Sequence, residues 1–577
     1  MIYIKNGLFY CCTILILAAC SESAPSNNET SSVTDADSST SAAGNAQRRI
    51  LRIGMSQYPA TLHPNIETMV AKFYALGMLS RSVTSYDADW NLVCNLCVTL
   101  PTLENGMAVL EKTPDGKDGI AVTFTLPENA SWGDGTPLTA NDLLFSWRVG
   151  RNTKTGANNI DMYRRTYAFD VLDDHTFVLH LDKVVFDYNQ LGQFFPLPQH
   201  LEEDIFKEDP YEYRHRTTYN ADAKNPGLWY GPYIISELAQ GSYLRLIRNP
   251  HWYGKDPYFD EIELRAIQNT AAMEANILSG TIDMIAGELG LTLDQALSFK
   301  ERHGDNYNVI FKPGLMYEHI EINLDNPILG DIRVRRAIMY GIDRQIISDR
   351  LFSGMQPVAH SSISPLGNNA SKNITRYNYN PDTANQLLNE AGWDQFKDGI
   401  RVNAAQKPLR IEIMTTAGDK TRELVEQVLQ NQLKQIGIDL RIKNEAARVF
   451  FGQTTRQRDF SAMAMFAWTM APDNVPRTTM HSSEIPTKEN NYAGQNYSGI
   501  NLAELDQLIE NLEGELSSAK RTPMWERFQQ IYTEELPIFP LYWRSNAFIL
   551  PKWLKGLRPT GHLDASTLRV EDWTRAE

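Results

Sequence analysis

Cysteine is scarce in this chain of 577 residues: there are five, three of them within the first twenty positions. Only Cys94 and Cys97 remain for a folded body, and neither flank adds a Cys or His at zinc-ligand spacing. A structural zinc site is therefore not expected, and a local disulfide or two buried thiols stay open as alternatives. Long apolar runs are missing after the N-terminus, which excludes a further helical membrane span. An excess of positive charge is missing too. Lys and Arg number 55 against 70 Asp and Glu, a formal net charge of −15, which argues against nucleic acid or an anionic membrane surface as partner. No GxSxG, HExxH or P-loop occurs, and the eleven histidines are scattered without metal-ligand spacing. These absences remove the enzyme classes that carry such motifs. A carboxylate pair leaves no sequence mark, so a secreted hydrolase is the remaining enzyme alternative. No cofactor, no metal and no repeat period is expected.

What is present begins with an address. A positively charged start precedes an apolar run over 8–19, too short to span a bilayer and of the length of a signal-peptide core. The run ends in Leu17-Ala18-Ala19-Cys20, which resembles a bacterial lipobox. Residues 1–19 are accordingly expected to be a leader, and Cys20 an acylated membrane anchor, which lipid chains on one residue suffice to provide. The stretch 21–47 is rich in Ser, Thr, Asn and Ala and lacks aromatics, so it is expected to be a disordered tether reaching on the order of 30 Å.

The body, from Arg48 on, mixes the two hydrophobic periods. Residues 49–54 and 121–126 alternate as strands. Thr139-Ala140-Asn141-Asp142 reads as a capping box opening a helix after a Gly133-Asp134-Gly135 turn. A helix is expected over 331–351 with the stripe Val334, Ile338, Ile342, Ile346. Asn380-Pro381-Asp382 opens another, closed by Gly392, and Thr522-Pro523 opens one more. Interleaved helices and strands make the class mixed α/β.

Several of these segments, in order, resemble the peptide-type solute-binding proteins of ABC importers, solute-binding family 5. They include Ala130-Ser131-Trp132-Gly133-Asp134-Gly135-Thr136-Pro137, Gly231-Pro232-Tyr233, Ser279-Gly280-Thr281-Ile282-Asp283, Asp331-Ile332-Arg333-Val334-Arg335-Arg336-Ala337-Ile338, and Tyr379-Asn380-Pro381-Asp382. The residues themselves read as folding punctuation and structural charge, not as ligand contacts. The resemblance implies a two-lobed periplasmic-binding-protein type II fold with an extra subdomain in the first lobe. Lobe one is expected over 48–311, with the subdomain over about 97–219. Lobe two is expected over 312–534, with a return to lobe one over 535–577. Lys312-Pro313-Gly314 and Leu536-Pro537-Ile538-Phe539-Pro540 are the expected crossings.

The same resemblance implies a monomeric, extracytoplasmic protein that closes on a peptide and delivers it to permease subunits, with no enzymatic activity. In relatives an Asp shortly after a Trp holds the ligand's amino terminus. Here Trp468 is followed by Thr469, Met470 and then Ala471 where that Asp would stand, and the nearest carboxylate is Asp473. Either Asp473 takes the role, or the ligand has no free ammonium group. Tyr492 and Asn496, in a polar aromatic stretch ending at Tyr497, are further candidate contacts. So are Tyr317 and His319 past the first crossing, and Tyr58 and Trp229 in lobe one. A non-peptide ligand such as a nickel chelate, haem, an oligosaccharide or an opine is the alternative on the same fold.

Overall fold

The computed structural model describes residues 48–577, apart from 158–159, 472–473, 562–563 and 577. The leader, Cys20, the tether and Asp473 lie outside the described residues.

Ten strands form one sheet: β1 (Ile50–Met55), β2 (Tyr233–Ala239), β3 (Tyr243–Arg248), β4 (Glu261–Ala266), β5 (Met284–Ile285), β6 (Tyr307–Ile322), β7 (Arg410–Met414), β8 (Asp439–Ile442), β9 (Met463–Thr469) and β10 (Ile538–Pro551). Their spatial order is β8-β7-β9-β6-β10-β5-β1-β4-β3-β2. The alternation seen at 49–54 has its expected cause: Leu51, Ile53 and Met55 are fully buried. They share a first core with Leu244, Ile262, Leu264 and Met284. A second core gathers Ile320, Ile338, Ile413, Leu429 and Phe539. A third lies under a separate four-stranded sheet (Ala108–Lys112, Asp118–Thr125, Thr166–Val171, Thr176–Leu181) and includes Phe124, Trp132 and Phe177. This third core is the extra subdomain of a two-lobed type II binding-protein fold.

The helices that build the site are α1 (Ala140–Arg151), α2 (Ile332–Gly341), α3 (Arg344–Phe352), α4 (Pro381–Glu390), α5 (Lys420–Gln435), α6 (Ala503–Gly514) and α7 (Ser518–Glu535). The Asp142 carboxylate receives the Thr139 and Gln199 backbone N–H groups, both at 2.9 Å, and the Trp132 indole N–H at 3.3 Å. The motif is thus a buried staple between turn, helix and chain, as its residues suggested. The helix expected over 331–351 is two helices. Asp343 caps α3 by accepting the Ile346 N–H at 2.9 Å, and the break turns Ile346 outward, 42 % exposed. Helix α7 starts at Ser518, earlier than the Thr522-Pro523 expected to open it. Arg335 and Arg344 are buried and spend their guanidinium groups on backbone carbonyls, Arg335 on Leu329 and Glu535, Arg344 on Pro540 and Tyr377. Cys94 and Cys97 are joined in a disulfide.

Strands β6 and β10 cross together from the first core to the second. Pairing runs from Tyr307 opposite Pro551 to Pro313 opposite Ser545, breaks, and resumes with Tyr317 opposite Trp543. On β10, Phe539, Leu541 and Tyr542 belong to the second core, and Phe548 and Leu550 to the first. The return crossing therefore lies at 544–546, later than the segment 536–540 expected to make it, because Leu536-Pro537 ends a helix and Ile538–Pro540 already belongs to the strand on the second core's side. At the first crossing the chain is packed against Gly561 so tightly that a Cβ there would stand 2.2 Å from the Pro313 carbonyl oxygen. With φ at +77°, that position suits only glycine.

Candidate ligand cleft

Strands β7, β8 and β9 run parallel to one another, and β1 runs parallel to β4 and β5. Strand β9 is antiparallel to the second half of β6, and β5 is antiparallel to the returning half of β10. Both sets of parallel strands consequently point their C-terminal ends at the crossing, where open α/β sheets place ligands.

At that end of β9, Trp468 stands directly opposite Tyr317 on β6. Its ring stacks on Tyr497 (centroids 6.1 Å, planes 24° apart) and meets Phe466 edge-on at 5.4 Å. Tyr317 continues the row to Trp543, 5.0 Å away, and its hydroxyl is hydrogen-bonded to that of Tyr532 at 2.7 Å. The result is an aromatic floor, Trp543–Tyr317–Trp468–Tyr497, built by strand register. The Trp468 indole N–H is hidden from solvent and has no partner among the described residues. Thr469, opposite Met316, is exposed at the end of the strand.

On the other face of β6 sits a charge cluster. Glu318, fully buried, accepts from Arg422 Nε at 2.6 Å and from Arg544 Nε at 2.7 Å. Arg422 also lies 3.5 Å from the Asp419 carboxylate at the start of α5. Two carboxylates and two guanidinium groups balance, which offsets the desolvation of Glu318. Arg544 keeps 31 % of its side chain exposed at the return crossing.

The structure brings Trp468, Thr469 and Tyr317 together and places the other candidates elsewhere. His319 is fully buried behind the floor, stacked on Tyr317 at 5.2 Å and edge-on to Phe466 at 4.6 Å. Its Nε2 is 3.2 Å from Glu321, whose carboxyl is pushed up by burial. With no exposed surface it has nothing to offer a ligand, which corrects its place among the candidate contacts. Trp229 is a core residue, 0 % exposed, its indole N–H donated to the Ala223 carbonyl at 2.9 Å; it has no surface left for a ligand. Asn496 is likewise buried and satisfied within its own loop, donating to the His481 and Ile500 carbonyls and accepting from Ser498 and Gly499. Tyr492 lies in a turn with φ at +54°, its N–H bonded to the Thr487 carbonyl; the tyrosine of that stretch that reaches Trp468 is Tyr497. Tyr58 follows β1 on the lobe-one side, where with Glu67, Arg214 and Asn220 it lines a separate cavity of about 510 Å³. Desolvation raises its phenol pKa.

Sequence reading passed over Trp543, Arg422 and Arg544. Trp543 looks like any core aromatic until strand register sets it beside Tyr317. The two arginines stand far from Glu318 in sequence, and nothing in their surroundings marks them as its partners.

The model of the bacterial extracellular solute-binding proteins, family 5 middle, matches residues 108–487. Over 99 % of both chains the protein is 26 % identical to the oligopeptide-binding protein AppA of Bacillus subtilis. The crystal structure of an oligopeptide-binding protein from Thermus thermophilus complexed with a pentapeptide is 26 % identical. It superposes with a TM-score of 0.67 over 92 % of this chain and 96 % of that one. NikZ from Campylobacter jejuni, solved in complex with Ni(L-His), is 21 % identical with a TM-score of 0.67, covering 91 % and 99 %; that likeness concerns the fold. With the family model matching most of the chain, and the crossing strands, paired cores and cleft in place, this chain belongs to the bacterial extracellular solute-binding proteins, family 5.

Proposed function

We propose that the protein is the extracytoplasmic receptor of an ABC importer, a monomer anchored through Cys20, which captures peptides between its lobes and hands them to permease subunits. The observation that carries this reading is the aromatic floor at the C-terminal end of β9, beside the crossing of β6, with the unpartnered Trp468 indole N–H in it. Stacked rings offer area to a chain of varied side chains, and a lone donor suits a backbone carbonyl. The oligopeptide-binding names of the relatives support the same ligand class. Trp468 and Thr469 are the proposed contacts from lobe two, with the fully buried Tyr317 supporting Trp468 from the neighbouring strand.

Ala471, in place of the carboxylate that relatives use, favours a second reading with the same fold: a ligand without a free ammonium group. Native mass spectrometry on gently purified protein separates the two. A spread of bound masses resolving into short peptides is expected. A single non-peptide mass would keep the receptor and replace the ligand class.

A further inference from the structure

We propose that Trp90, from lobe one, is the stopper of the ligand channel in front of Ala471 and thereby sets how large a ligand the cleft accepts. The inference rests on the receptor reading above.

Trp90 sits in the turn of a short hairpin in which Tyr86 pairs with Leu92. Asp87 organises that turn. Its carboxylate accepts the backbone N–H of Asp89 at 2.8 Å and of Asn91 at 2.9 Å, and its carbonyl accepts the Trp90 N–H at 3.1 Å. The turn obliges Trp90 to take φ of +67°. Hairpin positions of this kind favour glycine, or asparagine next, because a Cβ crowds the backbone there. A bulky ring at such a position is an outlier, and outliers of this sort persist where the surrounding structure holds them and cluster at ligand clamps.

The surroundings hold this one. Although at a hairpin tip, Trp90 is only 6 % exposed, and its indole N–H donates to the Thr560 carbonyl at 3.2 Å. The ring reaches across to the other lobe, where a Cβ built on Gly367 would stand 4.0 Å from it. With Leu315, Met470, Ala471 and Trp525 it encloses a cavity of about 30 Å³, large enough for a water molecule or two. Every other described residue around that cavity comes from the first crossing or from lobe two, and none is charged. Met470 and Ala471 follow Thr469, the last residue of β9, so the cavity lies beyond the strand end that carries Trp468. A hairpin with no duty here would carry glycine at the left-handed position and leave the channel open. The tryptophan fills it, leaving space for a small uncharged group alone.

The test compares the wild type with Trp90→Gly and Trp90→Asn, both suited to the left-handed backbone so that the turn survives, and with Trp90→Phe, which keeps a ring. The measurements are the masses of retained ligands by native mass spectrometry, the Kd of the wild type's own ligand, and Tm alongside. In the Gly and Asn variants the upper limit of retained ligand mass is expected to rise, and the Kd of the original ligand to weaken about ten-fold, with Phe close to wild type. An unchanged mass limit with unchanged Kd overturns the proposal. So does a loss of affinity equal for small and large ligands that tracks a fall in Tm. If the wild type's ligand is not a peptide, the peptide reading fails, while the same comparison on that ligand still decides the role of Trp90.

Discussion

Trp468 and Trp229 carry the same side chain and face opposite fates. Trp229 is fully enclosed with its N–H satisfied. Trp468 is half-buried, and its N–H is hidden and unpaired. An unpaired buried donor costs roughly 1–3 kcal/mol, a cost that the proposed hydrogen bond to a ligand carbonyl would remove. Trp468→Ala is therefore expected to weaken ligand binding at least about ten-fold with little change in Tm, measured by isothermal calorimetry and thermal melting on one preparation. Trp229→Ala should do the reverse. It is expected to cost about 3–5 kcal/mol of stability, while the Kd of the protein that remains folded stays put. His319 makes the same point from the other side: the sequence made it a candidate contact, but its place between Tyr317 and Phe466 makes it packing.

At the scale of elements, helix α5 joins the charge cluster to the second core. Its first turn carries Arg422 to Glu318, and one turn on, Glu426 is buried and accepts from the Asn444 amide at 2.7 Å. Burial pushes the Glu426 carboxyl up from 4.5 to about 7. The folded protein thus holds a proton there that the unfolded chain has released, so this contribution to stability is complete below about pH 4.5 and is lost as pH rises through about 7. Glu426→Gln, which mimics the protonated form, is expected to flatten the fall in Tm between pH 4.5 and 8 and to melt above wild type at pH 8. A variant with the same pH profile as wild type would remove Glu426 from that role. The split of the expected 331–351 helix belongs to this scale too. The stripe Val334, Ile338 and Ile342 stays buried up to the Asp343 cap, and beyond it burial passes to Ile347, so a single helical period carried past the cap picks the wrong residue, Ile346.

At the scale of the whole molecule, the lobes meet away from the crossing as well. The Phe186 N–H of the subdomain donates to the Glu513 carbonyl of α6 at 3.2 Å, and Arg521 of α7 lies 4.3 Å over the Phe186 ring. These contacts exist only when the lobes are together, so they add to the closed population and slow ligand escape. Arg521→Ala and Phe186→Ala are each expected to raise the ligand off-rate a few-fold and to enlarge the radius of gyration of the ligand-free protein, read by stopped flow and small-angle scattering. The double variant should do no more than either alone, since both remove one contact. Additive effects would show that the two side chains act separately.

What the sequence determined by itself is local. Strand alternation at 49–54, the Thr139–Asp142 box, the Asn380 cap and the Gly133-Asp134-Gly135 turn are each written within a few residues, because hydrogen bonds between near neighbours fix them. The ordered motifs carried the family and with it the two-lobed plan. Trp468 and Tyr317 were legible as candidates for the site through that plan alone. The site's company was decided by tertiary structure. Tyr317 meets Trp468 and Trp543 through strand register, Glu318 meets Arg422 and Arg544 across 104 and 226 positions of sequence, and Trp90 meets Ala471 across the cleft. Such pairings depend on which strands lie side by side and on which face each side chain emerges, and a shift of one residue would reverse them all.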